Sequence, residues 1–221
     1  MNLSNDFLTL LIKIGVGLEV ITAIIGTIYY NKYKNVPVLK YFIFLLWYVV
    51  FNELIGLYIR LYGSGYNALI INVYNLINFS YILYLFQSYL SSKKSKKIVL
   101  ILCVTYLISF IINGFYENYL IEFQSVPYII AAFFVVITIL LYFREILNSE
   151  KVLYTKKNLL FWIGVGLLLY FIGNIPFRII RNYYEYLSDA TTLFLVNFTL
   201  AIIMNACFII GFIWSDKKQL Y

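Results

Sequence analysis

The chain has 221 residues, of which 63% are hydrophobic and 12% are charged, whereas soluble domains usually hold about 45–50% apolar and about 25% charged residues. This composition excludes an ordinary soluble fold, because the polar residues are too few to cover the apolar ones. The net charge of +7 does not indicate nucleic-acid binding, since the lysines and arginines form short clusters between long apolar stretches instead of one basic face.

Seven apolar stretches are long enough to cross the membrane, because a helix needs about 20 such residues to span a hydrocarbon core of about 30 Å. Taken in chain order, the predicted helices cover residues 7–30, 38–62, 68–90, 97–115, 127–148, 158–181 and 191–214. The first helix follows no basic segment and is too long for the core of a signal peptide, so we expect it to remain in the mature protein. The sequence therefore predicts an all-α membrane protein with one polytopic domain over residues 1–221.

The fourth stretch is the shortest and contains Asn113 and Gly114, which leaves six helices as the main alternative. The distribution of basic residues favours seven. Connectors one, three and five and the C-terminal end hold most of them: Lys32, Lys34, Lys40, Lys93, Lys94, Lys96, Lys97, Arg144, Lys151, Lys156, Lys157, Lys217 and Lys218. The opposite ends hold Arg60, Arg178 and Arg181. Since short cytoplasmic loops accumulate lysine and arginine, the N-terminus is predicted outside and the C-terminus in the cytoplasm.

Charged residues occur inside the first two predicted helices. Lys13 lies in the outer part of the first helix and Glu19 near its middle, while Glu53 lies in the outer half of the second. A charge at mid-membrane costs a few kcal/mol, so such residues are functional candidates by default. Arg60 follows Glu53 by seven residues and is therefore on the same helix face, although it is also close enough to the headgroups to extend into them.

Asparagines mark the third and seventh helices. Asn72, Asn75 and Asn78 have three-residue spacing in the third helix, and Asn197 and Asn205 lie in the seventh. Two interpretations remain open for them. They line a polar cavity, or they join neighbouring helices by hydrogen bonds worth about 0.6 kcal/mol each.

The sixth helix carries a polar stripe. Asn174, Arg178 and Arg181 fall at positions i, i+4 and i+7, which is one helix face. Pro176 interrupts the backbone hydrogen bonding where the stripe begins, and Gly173 beside it favours a kink or hinge. We therefore treat Gly173 and Pro176 as candidate hinge residues.

The predicted orientation places most of these polar groups between the midplane and the outer surface. They predict one cavity open to the outside, with Glu53, Arg178 and Arg181 grouped in its outer zone. Glu19 is either a proton or cation site or a structural partner of Lys13.

The residue types that much chemistry requires are scarce. The chain has no histidine, and Cys103 and Cys207 each lie in an apolar stretch. The chain therefore lacks the histidine and cysteine sets that usually form zinc sites, attach haem or carry out histidine-based acid–base catalysis. We expect no metal, no cofactor and no catalytic residue, and only chemistry carried by carboxylates remains as an enzymatic alternative. A retinal pigment is excluded because the seventh helix has no lysine between Thr191 and Trp214.

The two halves of the chain share a weak pattern. Asn52 with Arg60, and Asn174 with Arg178 or Arg181, each occur late in the second helix of a three-helix half. This pattern predicts a parallel repeat of three helices on either side of a lone fourth helix, as in some small carriers.

Three stretches, Phe42–Gly56, Asn158–Arg181 and Asn205–Lys218, carry a resemblance. With its content of Ile, Asn, Lys, Tyr and Phe, the whole chain resembles the small uncharacterised seven-helix membrane proteins of Bacteroidetes. The resemblance implies a location in the bacterial inner membrane and no known activity.

Three functional hypotheses follow. A small-solute carrier or channel-like protein needs nothing beyond the seven helices and a polar cavity. A ligand sensor would report an external molecule through a separate membrane or cytoplasmic signalling partner. A structural subunit of a larger assembly is the third. The expected partners are the lipid bilayer and a small-molecule ligand, with no nucleic acid.

Overall fold

In a computed structural model, which describes residues 5–62, 68–183 and 190–216, the secondary structure is entirely helical. The α-helices are α1 (Asn5–Ile28), α2 (Phe42–Tyr62), α3 (Ala68–Tyr89), α4 (Lys93–Asn113), α5 (Ser125–Leu147), α6 (Leu159–Tyr183) and α7 (Ala190–Trp214). All seven contain a segment long and apolar enough to cross a membrane. The chain is therefore an integral, multi-pass membrane protein, and the predicted all-α fold of seven membrane-spanning helices is confirmed.

Several helix ends differ from the predicted ones, because hydropathy reports the membrane core and not where helical hydrogen bonding stops. Two short 3₁₀ turns, Tyr30–Lys32 and Leu39–Tyr41, occupy the first connector, where the prediction extended the first two helices. The helix α4 begins at Lys93, earlier than the expected residue 97. The side chain of Ser92 accepts a hydrogen bond from the amide of Ser95, and this N-cap lets the helix start within the lysine cluster.

The helices pack as two compact units. Unit 1 comprises Met1–Trp47 and Leu153–Tyr221, and unit 2 comprises Tyr48–Val152. Unit 1 thus contains α1, α6, α7 and the start of α2, while unit 2 contains the rest of α2 with α3, α4 and α5. These units do not coincide with the halves of the predicted repeat. The repeat, the single-domain organisation and the orientation of the termini stay predictions.

In unit 1, glycines let α6 and α7 approach closely. A Cβ atom added to Gly211 would lie 2.7 Å from Cβ of Trp162, and one added to Gly166 would lie 3.0 Å from the carbonyl oxygen of Met204. Small residues of this kind are a common basis of helix association in membranes. The short distance between the two backbones is what allows short polar side chains to meet across this helix pair.

The first connector closes one end of unit 1. Tyr33 is buried, and its hydroxyl donates a hydrogen bond of 2.7 Å to the carbonyl of Gly26. The ammonium of Lys32 donates hydrogen bonds to the carbonyls of Phe212 and Ile213 at 3.1 and 2.7 Å. These carbonyls belong to the last turn of α7, where backbone carbonyls have no amide partner within the helix. Burial raises the pKa of Tyr33, and desolvation lowers the pKa of Lys32.

Unit 2 has an aromatic core between α3, α4 and α5. The ring of Phe79 in α3 packs edge-on against Tyr106 of α4 and Tyr128 of α5, with centroid distances of 5.8 and 5.2 Å. Ala131 and Ala132 in α5 are fully buried beside this core. Edge-to-face aromatic pairs and small residues at the contact explain the tight packing of the three helices.

Candidate functional site

The predicted site residues differ widely in burial. Asn72, Asn75 and Asn174 are buried; Glu19, Asn78, Arg178 and Asn197 are half-buried; Glu53 is exposed. The side chains of Arg60 and Arg181 lie outside the described part of the structure. The candidates also divide between the units, with Glu19, Asn174, Arg178 and Asn197 in unit 1 and Glu53, Asn72, Asn75 and Asn78 in unit 2.

In unit 1, two predicted candidates on different helices are brought together. The amide nitrogen Nδ2 of Asn174 in α6 donates a hydrogen bond of 2.6 Å to Oδ1 of Asn197 in α7. The hydroxyl of Tyr170 donates to the same oxygen at 3.1 Å. Both hydrogen bonds therefore end on Oδ1 of Asn197. The Nδ2 group of Asn197 makes no hydrogen bond to any described residue. We call Tyr170, Asn174, Arg178 and Asn197 the α6–α7 stripe.

Arg178 extends this stripe toward the end of α6. Tyr170, Asn174 and Arg178 follow one another at four-residue intervals, which places them on one helix face. At 1.5 Å per residue, the stripe runs about 12 Å along the helix from Tyr170 to Arg178. The helix α6 ends at Tyr183, so Arg178 lies closer to this end of the helix than Asn174 does.

The structure gives Gly173 a packing role. A Cβ atom at this position would lie 2.7 and 2.8 Å from the two Cδ atoms of Leu200 in α7, so the glycine leaves room for this leucine side chain. Pro176 lies inside α6 and is exposed, and the helix continues through it to Tyr183. The hinge role of these two residues stays a prediction.

In unit 2, Asn72 holds a loop. Its Nδ2 group donates to the carbonyls of Tyr119 and Glu122 at 2.9 and 2.8 Å, and its Oδ1 accepts from the amide of Gln124 at 3.0 Å. The side chain is 1% exposed, and its three bonds go to the backbone of the connector between α4 and α5. Of the two interpretations given for the asparagines, this geometry favours the structural one for Asn72.

Residues that the sequence did not single out complete this arrangement. Asn113, at the end of α4, donates 2.7 Å hydrogen bonds to the carboxylate of Glu117 and to Oε1 of Gln124. The Nε2 group of Gln124 donates to the carbonyl of Glu117 at 3.2 Å. We call Asn72, Asn113, Glu117 and Gln124 the loop clamp. No sequence pattern indicated it, because its members belong to α3, to the end of α4 and to the connector.

The remaining charged candidates among the described residues are distributed over both units. Glu19 is half-buried and Lys13 is exposed on α1 of unit 1, while Glu53 is exposed on α2 of unit 2. The grouping of Glu53 with Arg178 and the outward cavity stay predictions. Among the described residues, no three His, Cys, Asp or Glu side chains come together in a way that could hold a metal ion.

Tyr170 is the residue of the stripe that the sequence interpretation missed. It precedes Asn174 by four residues, so the same-face rule that linked Asn174 to Arg178 would have found it. It was overlooked because tyrosines are abundant in this chain, which has 23 of them, and most suit the edges of a membrane.

No protein-family model, curated protein or solved structure matches this chain.

Proposed function

We propose that this protein is a carrier of the bacterial inner membrane that binds a small anionic solute, such as a carboxylate, at the α6–α7 stripe and moves it across. The observation that carries the proposal is the hydrogen bond between Asn174 of α6 and Asn197 of α7. Asn174 lies on the same face of α6 as Arg178. By the predicted orientation, this stripe opens toward the outer surface.

The chemistry of the stripe suits an anion that has lost part of its water. A guanidinium supplies charge and several donors in a planar arrangement that matches a carboxylate. The Nδ2 group of Asn197 adds a neutral donor, and Oδ1 of the same side chain accepts a hydrogen bond from the hydroxyl of Tyr170. Charge-assisted hydrogen bonds are the stronger ones in a medium of low polarity, so an anion is favoured over a neutral solute.

The backbone of α6 supports movement at this level. A proline inside a helix removes one hydrogen bond and weakens the turn that precedes it. Pro176 lies between Asn174 and Arg178, so the weak turn coincides with the stripe. Opening of this turn would change the separation of the asparagines from the guanidinium, as a carrier requires between its binding and releasing states.

The test is uptake of radiolabelled lactate, succinate and glutamate into proteoliposomes containing the full chain. We expect uptake of at least one of these solutes, abolished in Arg178→Gln and strongly reduced in Asn197→Leu. The matched control is Asn205→Leu. Asn205 is a buried asparagine of the same helix whose Nδ2 group bonds only the carbonyl of Ala201 in its own helix, and its replacement should leave uptake unchanged. Equal uptake by the parent and Arg178→Gln would refute the assignment.

Ligand sensing is the second candidate, and the packing of unit 1 favours it. The far end of α7 from the stripe is lined by aromatic contacts: Phe42 packs edge-on against Phe208 at 5.4 Å, and Trp162 against Trp214 at 5.7 Å. Such a dry region suits a protein that binds a solute without passing it on. Sensing would be indicated if a carboxylate raised the melting temperature of the parent, but not of Arg178→Gln, while proteoliposomes took up none of the three solutes.

A further inference from the structure

The connector between α4 and α5, residues 114–124, exposes several large apolar side chains. Phe115 and Tyr116 are each 83% exposed, and Tyr119, Leu120 and Ile121 are about half exposed. The last turn of α4 continues the same character, since Ile111 and Ile112 are exposed as well. Exposed apolar patches of this kind mark a surface that binds something other than water.

Most backbone amides of this connector donate hydrogen bonds to acceptors within the chain. Partners within the chain accept from the amides of Gly114, Phe115, Tyr116, Glu117, Asn118, Leu120, Ile121, Glu122 and Gln124. Next to lipid, an unpaired amide or carbonyl costs several kcal/mol, so internal pairing is what a lipid-contacting loop needs.

The loop clamp fixes the shape of this surface. Asn72 of α3 holds the carbonyls of Tyr119 and Glu122, and Gln124 joins Asn113 to Glu117. The polar side chains of the clamp are thus turned inward and paired. The exposed polar side chains of the connector are Asn118 and Glu122.

The two ends of α4 fit opposite surfaces of a bilayer. The helix has 21 residues, which at 1.5 Å per residue is about 31 Å, close to the thickness of the hydrocarbon core. One end carries four exposed lysines: Lys93, Lys94, Lys96 and Lys97. The other end carries the aromatic side chains of the connector. Basic residues on one side and aromatic residues at an interface are the usual anchors of a membrane helix.

We propose that the α4–α5 connector is a membrane-surface anchor. Phe115, Tyr116 and Leu120 enter the boundary between lipid headgroups and acyl chains, and Asn118 and Glu122 face water. The partner is the lipid surface at that end of α4. This inference is independent of the proposed transport of a solute, since the connector belongs to unit 2 and the stripe to unit 1.

The test measures the depth of single positions in the bilayer. Cys103 and Cys207 are first replaced by alanine, and one cysteine is then introduced as Tyr116→Cys, Leu120→Cys or Glu122→Cys. Each full-length variant is labelled with an environment-sensitive fluorophore and reconstituted into vesicles whose lipids carry a nitroxide near the headgroup. We expect several-fold stronger quenching of the label at positions 116 and 120 than at 122, where the proposed arrangement places the side chain in water.

Equally weak quenching at the three positions would overturn the proposal, because the apolar side chains would then face water or a protein partner. Equally strong quenching would overturn the placement of Glu122 in water. Each labelled variant must keep the melting temperature of the cysteine-free parent in detergent. Where Tyr116→Cys or Leu120→Cys does not, Phe115→Cys or Tyr119→Cys, at another exposed apolar position of the connector, takes its place, with the same expected quenching.

Discussion

Replacing Asn72 with leucine removes three hydrogen bonds while keeping the branching and the number of heavy atoms of the side chain. The carbonyls of Tyr119 and Glu122 and the amide of Gln124 are left without this partner in a place that the buried side chain had closed to water. At about 0.6 kcal/mol per bond in membranes and about 1.5 kcal/mol in soluble proteins, the loss of three bonds comes to about 2–4.5 kcal/mol. For a chain of this size, the melting temperature should fall by about 4–18 °C.

The assay is thermal unfolding of the detergent-solubilised protein, followed by intrinsic fluorescence. The matched control is Asn78→Leu, on the same helix, because Asn78 is half-buried and its side chain makes no hydrogen bond among the described residues. We expect this control to change the melting temperature by no more than a few degrees. If the two variants unfolded at the same temperature, or Asn72→Leu unfolded with the parent, the structural interpretation of Asn72 would be wrong.

Two further predictions concern unit 1. Gly211→Ala places a Cβ atom 2.7 Å from Cβ of Trp162 and should destabilise the fold by about 1–3 kcal/mol through overpacking. The control is Gly17→Ala, where nothing lies within 4 Å of the added Cβ, and it should leave the melting temperature unchanged. Equal effects of the two substitutions on the melting temperature would contradict the close packing of α6 and α7. Burial raises the pKa of Tyr33 above its usual value of 10.0. The neutral phenol therefore contributes its full stability below about pH 10, and this contribution is lost as the pH rises above that value. From about pH 8 to about pH 11 the melting temperature should fall more in the parent than in Tyr33→Phe, and identical pH profiles would show that the phenol is not buried in the folded state.

The sequence was sufficient for the number and approximate positions of the helices, since each span is a physical requirement of the bilayer thickness. It was insufficient for helix ends in the polar connectors. The start of α4 at Lys93 depends on the cap supplied by Ser92, and hydropathy alone treats both residues as loop. The 3₁₀ helix Glu150–Lys157 is missed as well, because this short, lysine-rich segment is too polar for hydropathy to identify as a span.

The site was predicted in part. Same-face spacing on α6 linked Asn174 to Arg178 as candidates, and Asn197 was identified as a candidate on α7. The hydrogen bond between Asn174 and Asn197 was not predicted, because it depends on how α6 and α7 pack. For Asn72, the partners lie about fifty residues away in a connector, and periodicity within a helix carries no information about them. The same polar residue type thus forms a candidate binding stripe in one unit and a structural clamp in the other, and only the contacts separate these roles.

The account depends most on an odd number of membrane crossings, because this places both the end of the α6–α7 stripe that carries Arg178 and the α4–α5 connector on the outer side. Epitope tags on the two chain ends, probed with antibody in intact and permeabilised spheroplasts, measure this directly. We expect the N-terminal tag to be accessible in intact spheroplasts and the C-terminal tag only after permeabilisation. Accessibility of both tags from the same side would contradict the seven-helix topology and, with it, the outward position of the proposed binding site.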